Sequence, residues 1–140
     1  MKMFKEIVIC IIIIVLIFSL DIYTHNLTKD IVSKTTENFS GLVEKLYKNE
    51  SEDLTKEIQE TKDDWITSHD QLAYYIEHDE LEKVDTVMVN TISYVSTGDY
   101  SSAIMELEKG KFILEHIQEK NEFNIQNIFW FRCQSFLKMS

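Results

Sequence analysis

An uninterrupted apolar run near the start of the chain constrains the fold more than any other feature. Between Ile7 and Leu20 the only polar residue is Ser19, and no Gly or Pro interrupts the run. A helix from Ile7 to Tyr23 would be about 25 Å long at ~1.5 Å per residue, which is the short end of what crosses a bilayer. No second apolar run matches it, and a water-soluble protein of 140 residues could hardly cover it on every side. We therefore predict a membrane-spanning helix.

The flanks of this run favour a retained anchor over a cleaved signal peptide. Its exit sequence, LIFSLDIYTHN, has no Ala and no small-residue pattern of the kind that signal cleavage needs. Lys2 and Lys5 precede the run and Asp21 follows it, so the N-terminus is expected in the cytoplasm and the rest outside. The predicted anchor residues are Ile7, Val8, Ile9, Ile11, Ile12, Ile13, Ile14, Val15, Leu16, Ile17, Phe18 and Leu20.

Composition and charge exclude several classes of protein. With 3 Gly and no Pro, the chain lacks the residues on which the tight turns of an all-β fold depend. The net charge of −10 lies between Asn49 and Asp85, where thirteen acidic residues face three lysines. A basic face for nucleic acid is missing. The acidic stretch is typical of a solvated helix face, and binding of cations or of a basic partner is the alternative. Cys10 and Cys133 are read as free thiols.

After Tyr23 the apolar residues recur every three or four positions, which is the pattern of amphipathic helices. The connections between the four stripes are short, so neighbouring helices must run antiparallel. We therefore predict an all-α fold, in which an N-terminal transmembrane helix continues into an antiparallel bundle of about four helices, plus a short aromatic C-terminal segment. The stripe residues are Leu27, Ile31, Thr35, Phe39, Leu42 and Leu46; Leu54, Ile58, Thr61, Trp65, Ser68, Leu72 and Tyr75; Leu81, Val84, Met88, Thr91 and Val95; and Tyr100, Ala103, Leu107, Gly110, Leu114 and Ile117.

Residues with turn and capping preferences mark the predicted helix ends. Gly98 is expected to end the third helix, and Asp99 is expected to cap the fourth. Asn49 or Ser51 can cap the second helix, and Asp79 is expected to cap the third.

The C-terminal sequence NEFNIQNIFWFRCQSFLKMS carries more apolar residues than a solvated chain end would. For Phe123 to Phe129 packing on the bundle is favoured. From Trp130 onward packing, membrane contact and a partner all stay open, since aromatic residues beside Arg132 and Lys138 suit an interfacial helix. The predicted organisation is an anchor at 1–23, a helical bundle at 24–129 and an extension at 130–140.

The sequence contains no catalytic motif, so we expect a non-enzymatic protein without a cofactor or a small-molecule substrate. The polar corner Glu77–Glu80 together with His116 could bind a cation or respond to pH. Its histidine spacing does not match the helical zinc motif, and we predict no metal site. Trp65 is expected first of all as a core aromatic residue. The candidate interaction residues are Trp65, His78, His116, Phe129 and Trp130.

The order of these features resembles a known family. Trp65 on an acidic helix, IEHDELEKVD at Ile76–Asp85 and LEHIQEKNEFNIQNIF at Leu114–Phe129 carry the resemblance. They are similar to an uncharacterised bacterial family of small membrane-anchored helical proteins, domain of unknown function number four-three-six-three. The resemblance implies an anchored extracytoplasmic domain with a neighbouring membrane protein as a possible partner, and no catalytic residues. Family members tend to carry Pro where Gln118 stands, which would sharpen the end of the fourth helix, and to end near Phe129.

Residues and resemblance together predict a single-pass protein of the cell membrane whose extracytoplasmic helical domain binds or supports another cell-envelope protein. Its partners would be the lipid bilayer and that protein, met through the acidic second helix or the aromatic tail. One alternative is a sensor-like ectodomain that responds to cations or pH. Another is a secreted helical factor that is released by cleavage of the N-terminal segment.

Overall fold

The computed structural model describes residues 2–49 and 54–137, and its side chains at 3–49 and 54–122. In these ranges the chain forms four α-helices and no strand: α1 Lys2–Tyr47, α2 Leu54–Leu72, α3 His78–Ser96 and α4 Tyr100–Leu137. Each helix packs against its neighbour in the sequence, and α1 also packs against α4, which closes an up-and-down bundle. The predicted all-α fold, with a bundle of about four helices, is confirmed.

Helix α1 is one unbroken helix of 46 residues with two different surfaces. Over Ile7–Leu20 the apolar side chains are exposed all around the helix, as for Leu16 with 57% of its surface accessible. Towards the C-terminal end one face is buried, with Phe39 at 0% and Leu46 at 2%. By length and composition, α1 therefore contains a segment that is long and apolar enough to cross a membrane. That segment continues without a break into the bundle.

The core of the bundle is built from the predicted stripes, whose members are all buried or half-buried. Trp65 and Phe39 are the largest of the fully buried side chains. Gly110 lets α4 approach α1 and α3 closely, because a Cβ at this position would lie 2.5 Å from Phe39 Cε2 and 2.9 Å from Val87 Cγ1. The glycine in the fourth stripe is thus required by packing rather than by a turn.

The connection between α3 and α4 has the predicted capping residues. Gly98 ends α3 in the left-handed conformation, with φ of 77°. The Asp99 N–H donates to the Tyr94 carbonyl at 2.9 Å, which completes the usual glycine-terminated helix end. Asp99 Oδ1 accepts a hydrogen bond from the Ser102 N–H at 3.1 Å, so Asp99 caps α4.

Two of the other residues predicted as caps, Asn49 and Asp79, do not cap a helix. Asn49 has a φ of 53° and donates its N–H to the Leu46 carbonyl at 3.2 Å, so it ends α1 instead of capping α2. Ser51 lies outside the described residues. The N-cap position of α3 is Glu77, which is extended and whose side chain makes no capping bond. Asp79 lies in the first turn of α3, where its charge is favourable to the helix dipole.

Helix α4 passes through Gln118 without interruption and continues to Leu137. The aromatic C-terminal segment is therefore helical up to Leu137 and continuous with the bundle. Both predicted domain boundaries, after residue 23 and after residue 129, fall inside long helices, α1 and α4. Neither boundary is a loop, so the apolar segment of α1 and the C-terminal part of α4 are each continuous with the bundle.

Candidate functional site

An acidic corner stands where the turn after α2 leads into α3. Glu77, Asp79 and Glu80 each offer a carboxylate oxygen, and these oxygens lie within 4.8 Å of one another. Such an oxygen-only set suits calcium or magnesium better than zinc. Lys120 of α4 reaches into it, with Nζ 2.8 Å from Glu77 Oε2 and 3.7 Å from Glu80 Oε1. Lys83 Nζ lies 3.2 Å from Glu80 Oε1, so two ammonium groups balance much of the negative charge.

The ion pair with Glu77 stabilises the charged form of Lys120. The hydrogen bond from its ammonium group to Glu77 raises the pKa of Lys120, and the nearby Glu80 and Asp79 charges add to the effect. A cation that enters the corner has to displace this ammonium group. The corner therefore links the start of α3 to α4 through the ion pairs of Lys120.

The predicted histidines do not join the acidic corner. His116 is exposed on α4, and the acid group includes no histidine among the described side chains. His78 Nε2 lies 3.0 Å from Glu82 Oε1, and its ring packs edge-on against His69 with 5.6 Å between ring centroids. The corner proposed from sequence is thus assembled by its carboxylates alone.

Trp65 lies in the core, with 1% of its surface exposed. Its indole N–H donates to Asp85 Oδ1 at 2.5 Å. His69 Nδ1 lies 3.1 Å from Asp85 Oδ2, and the His69 ring packs edge-on against Trp65 at 6.3 Å. Asp85 therefore joins α3 to two residues of α2, which satisfies the polar edge of the largest core side chain. The expectation of a core aromatic residue is what this arrangement bears out.

Sequence reasoning missed His69 and Asp85. A signal was available for both, since Trp65 and His69 are four residues apart and so share a face of α2. Asp85 directly follows Val84 of the apolar stripe and so lies at the edge of the buried face of α3. A half-buried carboxylate there needs a hydrogen-bond partner. A buried Trp is the natural donor for it, because its only polar group is an N–H.

An open groove of about 610 Å³ separates α1 from α2. Its walls carry four carboxylates, and one lysine is the only basic residue among them. The lining residues are Glu37, Asn38, Gly41, Leu42, Lys45, Glu57, Glu60, Thr61 and Asp64. Leu42 and Thr61 are buried at its floor. The surface that the groove presents is therefore mainly acidic.

Two ion pairs cross between the walls of this acidic groove. Lys45 Nζ lies 2.6 Å from Glu57 Oε2, and Lys34 Nζ lies 3.0 Å from Asp64 Oδ2. Glu37 forms no ion pair with any side chain that the structure describes. Glu60 has only its helix neighbour Lys56, at 3.7 Å. Glu37 and Glu60 therefore leave charge available for a basic ligand, because exposed pairs of this length hold little energy.

A polar cluster fastens the anchor end of the bundle. Thr28 of α1 is fully buried, and its Oγ1 lies 3.1 Å from the Tyr75 hydroxyl. Asn121 Nδ2 donates to the same Oγ1 at 3.1 Å, and Tyr75 also donates to the Thr24 carbonyl at 3.4 Å. Burial raises the pKa of Tyr75, while its bond with Thr28 opposes the shift. The cluster joins α1, the turn after α2 and α4 directly beyond the apolar segment.

The two remaining predicted interaction residues, Phe129 and Trp130, belong to α4. Their side chains lie outside the described part of the chain. The predicted anchor side chains from Ile7 to Leu20 are all exposed.

Comparison with known proteins gives one match. The model of a family described as Domain of unknown function (DUF4363) matches residues 22–128, which is the bundle without the apolar segment. No curated protein and no solved structure matches the chain.

Proposed function

The chain belongs to the DUF4363 family, a domain of unknown function, and we propose that it is a non-enzymatic single-pass membrane protein whose bundle binds another cell-envelope protein. The observation that carries this proposal is the double surface of α1. Its first part has exposed apolar side chains on every side, and its second part is a core element of the bundle. A helix of this form ties a folded domain to a bilayer without a linker.

Retention of the apolar segment is supported by the residues that follow it. The Thr24 carbonyl and the Thr28 hydroxyl belong to the polar cluster with Tyr75, and α1 is helical throughout this stretch. A signal peptidase site is expected to have small residues, and the segment from Leu16 to Asn26 has none of the required pattern. The lysines before the span favour a cytoplasmic N-terminus and a bundle on the outer side.

The acidic groove is the surface that we assign to the partner. It lies between α1 and α2, it is open to solvent, and its walls carry Glu37 and Glu60 with little competition from lysines. A basic segment of a neighbouring envelope protein has the complementary charge. The ion pairs that cross the groove, Lys45 with Glu57 and Lys34 with Asp64, are exposed and can exchange for contacts with a basic partner.

Crosslinking in intact cells tests this assignment. The full-length chain with Glu37→Lys and Glu60→Lys is compared with the unchanged chain, and captured neighbours are identified by mass spectrometry. We expect the unchanged chain to capture one recurrent envelope protein and the variant to lose it, because two reversed charges repel a basic segment.

The matched control carries the same change of charge elsewhere. Glu115→Lys with Glu119→Lys alters two exposed acids of α4 that do not line the groove, and it should capture the partner undiminished. Equal capture by both variants would discard the groove as the binding surface. Absence of any recurrent neighbour with the unchanged chain would discard the binding function itself.

A sensor-like ectodomain is the second candidate, and the acidic corner is the observation that favours it. Its three carboxylates are close enough to share a cation once Lys120 is displaced. Melting of the protein with and without calcium, magnesium or zinc tests this reading. A rise of the melting temperature that Glu77→Gln abolishes would support it, and an unchanged melting temperature with all three ions would remove it.

A further inference from the structure

Helices α1 and α4 keep one antiparallel register over the length where both have described side chains. Gly110 lies opposite Phe39, as the closeness of its backbone to that ring shows. Eleven residues later on α4, Asn121 donates a hydrogen bond to Thr28, which lies eleven residues earlier on α1. Each step of one residue forward along α4 therefore matches a step of one residue back along α1, towards the apolar segment.

Both helices continue past Thr28 and Asn121 without a break, α1 back to Lys2 and α4 on to Leu137. Since both have the same rise per residue, the register carries on. Residue 128 of α4 then stands level with Asp21, the acid that ends the apolar segment of α1. Leu137 stands level with Ile12, inside that segment.

The composition of α4 changes at the same height. Glu122 is the last acidic residue of the sequence, and beyond it the charged residues are Arg132 and Lys138 alone. Between them and Glu122 lie Phe123, Ile125, Ile128, Phe129, Trp130 and Phe131. The part of α4 that follows Glu122 therefore carries no acidic residue, and its composition is apolar and aromatic with one basic residue, Arg132.

We propose that residues 129–137 of α4 insert into the outer leaflet of the bilayer beside α1, so that the bundle stands on two helices instead of one. This inference rests on the membrane anchoring in the proposed function. The register gives an insertion depth of about 13 Å for these nine residues, which is less than half of a hydrocarbon core of about 30 Å. The occupant of this surface is lipid of the outer leaflet.

The sequence of the inserted segment fits that depth. Trp130 stands about 3 Å below the level of Asp21, in the layer where tryptophan is enriched in membrane proteins. Arg132 stands about 6 Å below that level, a depth from which arginine residues in membrane helices generally reach the headgroups. An outer-leaflet position therefore satisfies both the aromatic and the basic residues.

Fluorescence quenching by brominated lipids tests the insertion. The sequence contains two tryptophans, and Trp65 is buried in the bundle, so the difference between the unchanged chain and Trp130→Phe isolates the emission of Trp130. The full-length protein is reconstituted in phosphatidylcholine vesicles with bromine near the headgroup end or near the middle of the chains. Trp130 should lose most of its emission in the first kind and less in the second, while aqueous acrylamide has little effect.

Disulfide formation tests the position beside α1. The face of α4 with Leu114 and Asn121 recurs every seven residues and reaches Ser135, and the face of α1 with Thr28 recurs at Ile14. In a chain with Cys10→Ser and Cys133→Ser, Ile14→Cys with Ser135→Cys should form an intramolecular disulfide on mild oxidation. The control Ile12→Cys with Ser135→Cys puts the first thiol on the opposite face of α1 and should not.

The outcomes separate this inference from the proposed function. Quenching of Trp130 by acrylamide and not by lipid bromine would overturn the insertion of α4. The proposed anchoring by α1 would still stand if the protein resisted extraction by carbonate. Lipid quenching without the Ile14–Ser135 disulfide would overturn the position beside α1. Loss of the whole protein from the vesicles on carbonate treatment would instead contradict the anchor, and with it the proposed function.

Discussion

The two parts of α1 differ in surface, although they are one continuous helix. From Ile7 to Leu20 the side chains are exposed on every side of the helix, and all of them except Ser19 are apolar. From Thr28 to Leu46 only one stripe is apolar, and that stripe is buried by α2 and α4. The backbone is the same in both parts, so helix formation does not distinguish them. What distinguishes them is the distribution of apolar side chains around the helix, and therefore the surroundings in which each part is stable.

The membrane anchoring that we propose and the folding of the bundle therefore depend on different parts of one helix. The first part needs a medium that is apolar on all sides, which lipid provides and a bundle of four helices does not. The second part needs partner helices, since an isolated amphipathic helix is marginal in water. Substitutions in the first part should change location, and substitutions in the second should change stability.

The largest effect is expected from charges in the middle of the apolar segment. Ile11→Asp with Ile14→Asp costs about 2.5–3.5 kcal/mol per acid at the centre of a membrane helix, and the protein should leave the membrane fraction. Ile66→Asp with Val89→Asp changes two exposed residues of the bundle, and this control should stay in the membrane fraction. Retention of the first variant in carbonate-washed membranes would contradict the anchor.

A pair of leucines in α1 compares the two parts directly. Leu42 is 3% exposed and Leu16 is 57% exposed. Leu42→Ala should lower the free energy of unfolding by about 2–5 kcal/mol, because it leaves a cavity in the core. Leu16→Ala should leave it unchanged. Denaturant unfolding of the full-length chain in micelles measures both, and equal losses would contradict the division of α1.

A pair of glycines probes the packing of the second part. Gly110→Ala places a methyl group against the ring of Phe39 and should cost about 1–3 kcal/mol through overpacking. Gly41→Ala has nothing within 4 Å of the added Cβ and should stabilise α1 by about 0.5–1 kcal/mol. Thermal unfolding of the two variants should shift in opposite directions. A stabilised Gly110→Ala would show that α4 does not approach α1 as described.

The smallest effect concerns the cap of α4, far from the anchor. The hydrogen bonds from Ser102 lower the pKa of Asp99, so its charged form is favoured in the folded state. That stabilisation is fully present above the ordinary aspartate pKa and is lost as the pH falls from there through the lowered pKa of Asp99. Asp99→Ala should lower the stability at neutral pH, because it removes the cap. Asp99→Asn should keep the cap and lose only its pH dependence, which acid titration of stability would reveal.

The helices and their buried faces could be predicted because they depend on local spacing alone. Leu81, Val84 and Met88 recur at helical intervals and are buried whatever their partners are. The end of α3 was equally readable, since Gly98 supplies the left-handed residue that such an end requires. Asn49 was read wrongly because asparagine serves both as an N-cap and as a left-handed helix end, and the choice depends on where the helix stops.

The contacts between helices could not be predicted, because the apolar spacing of a helix identifies its buried face but not the helix that packs against that face. The bond from Trp65 to Asp85 and the register of Thr28 with Asn121 depend on how far one helix slides along another. The acidic groove likewise depends on the distance between α1 and α2. The periodicity of residues along one helix does not determine that distance. The corner at Glu77 was found from sequence because its acids are neighbours along the chain, while Lys120 comes from a distant helix.

The mass of the protein that is recovered from carbonate-washed membranes shows whether α1 stays whole and holds the bundle at the membrane. We expect a single species with the mass of the 140-residue chain, 16.5 kDa, and peptides that cover the apolar segment. A shorter species that begins beyond Asp21, or recovery of the bundle only in the soluble fraction, would contradict it.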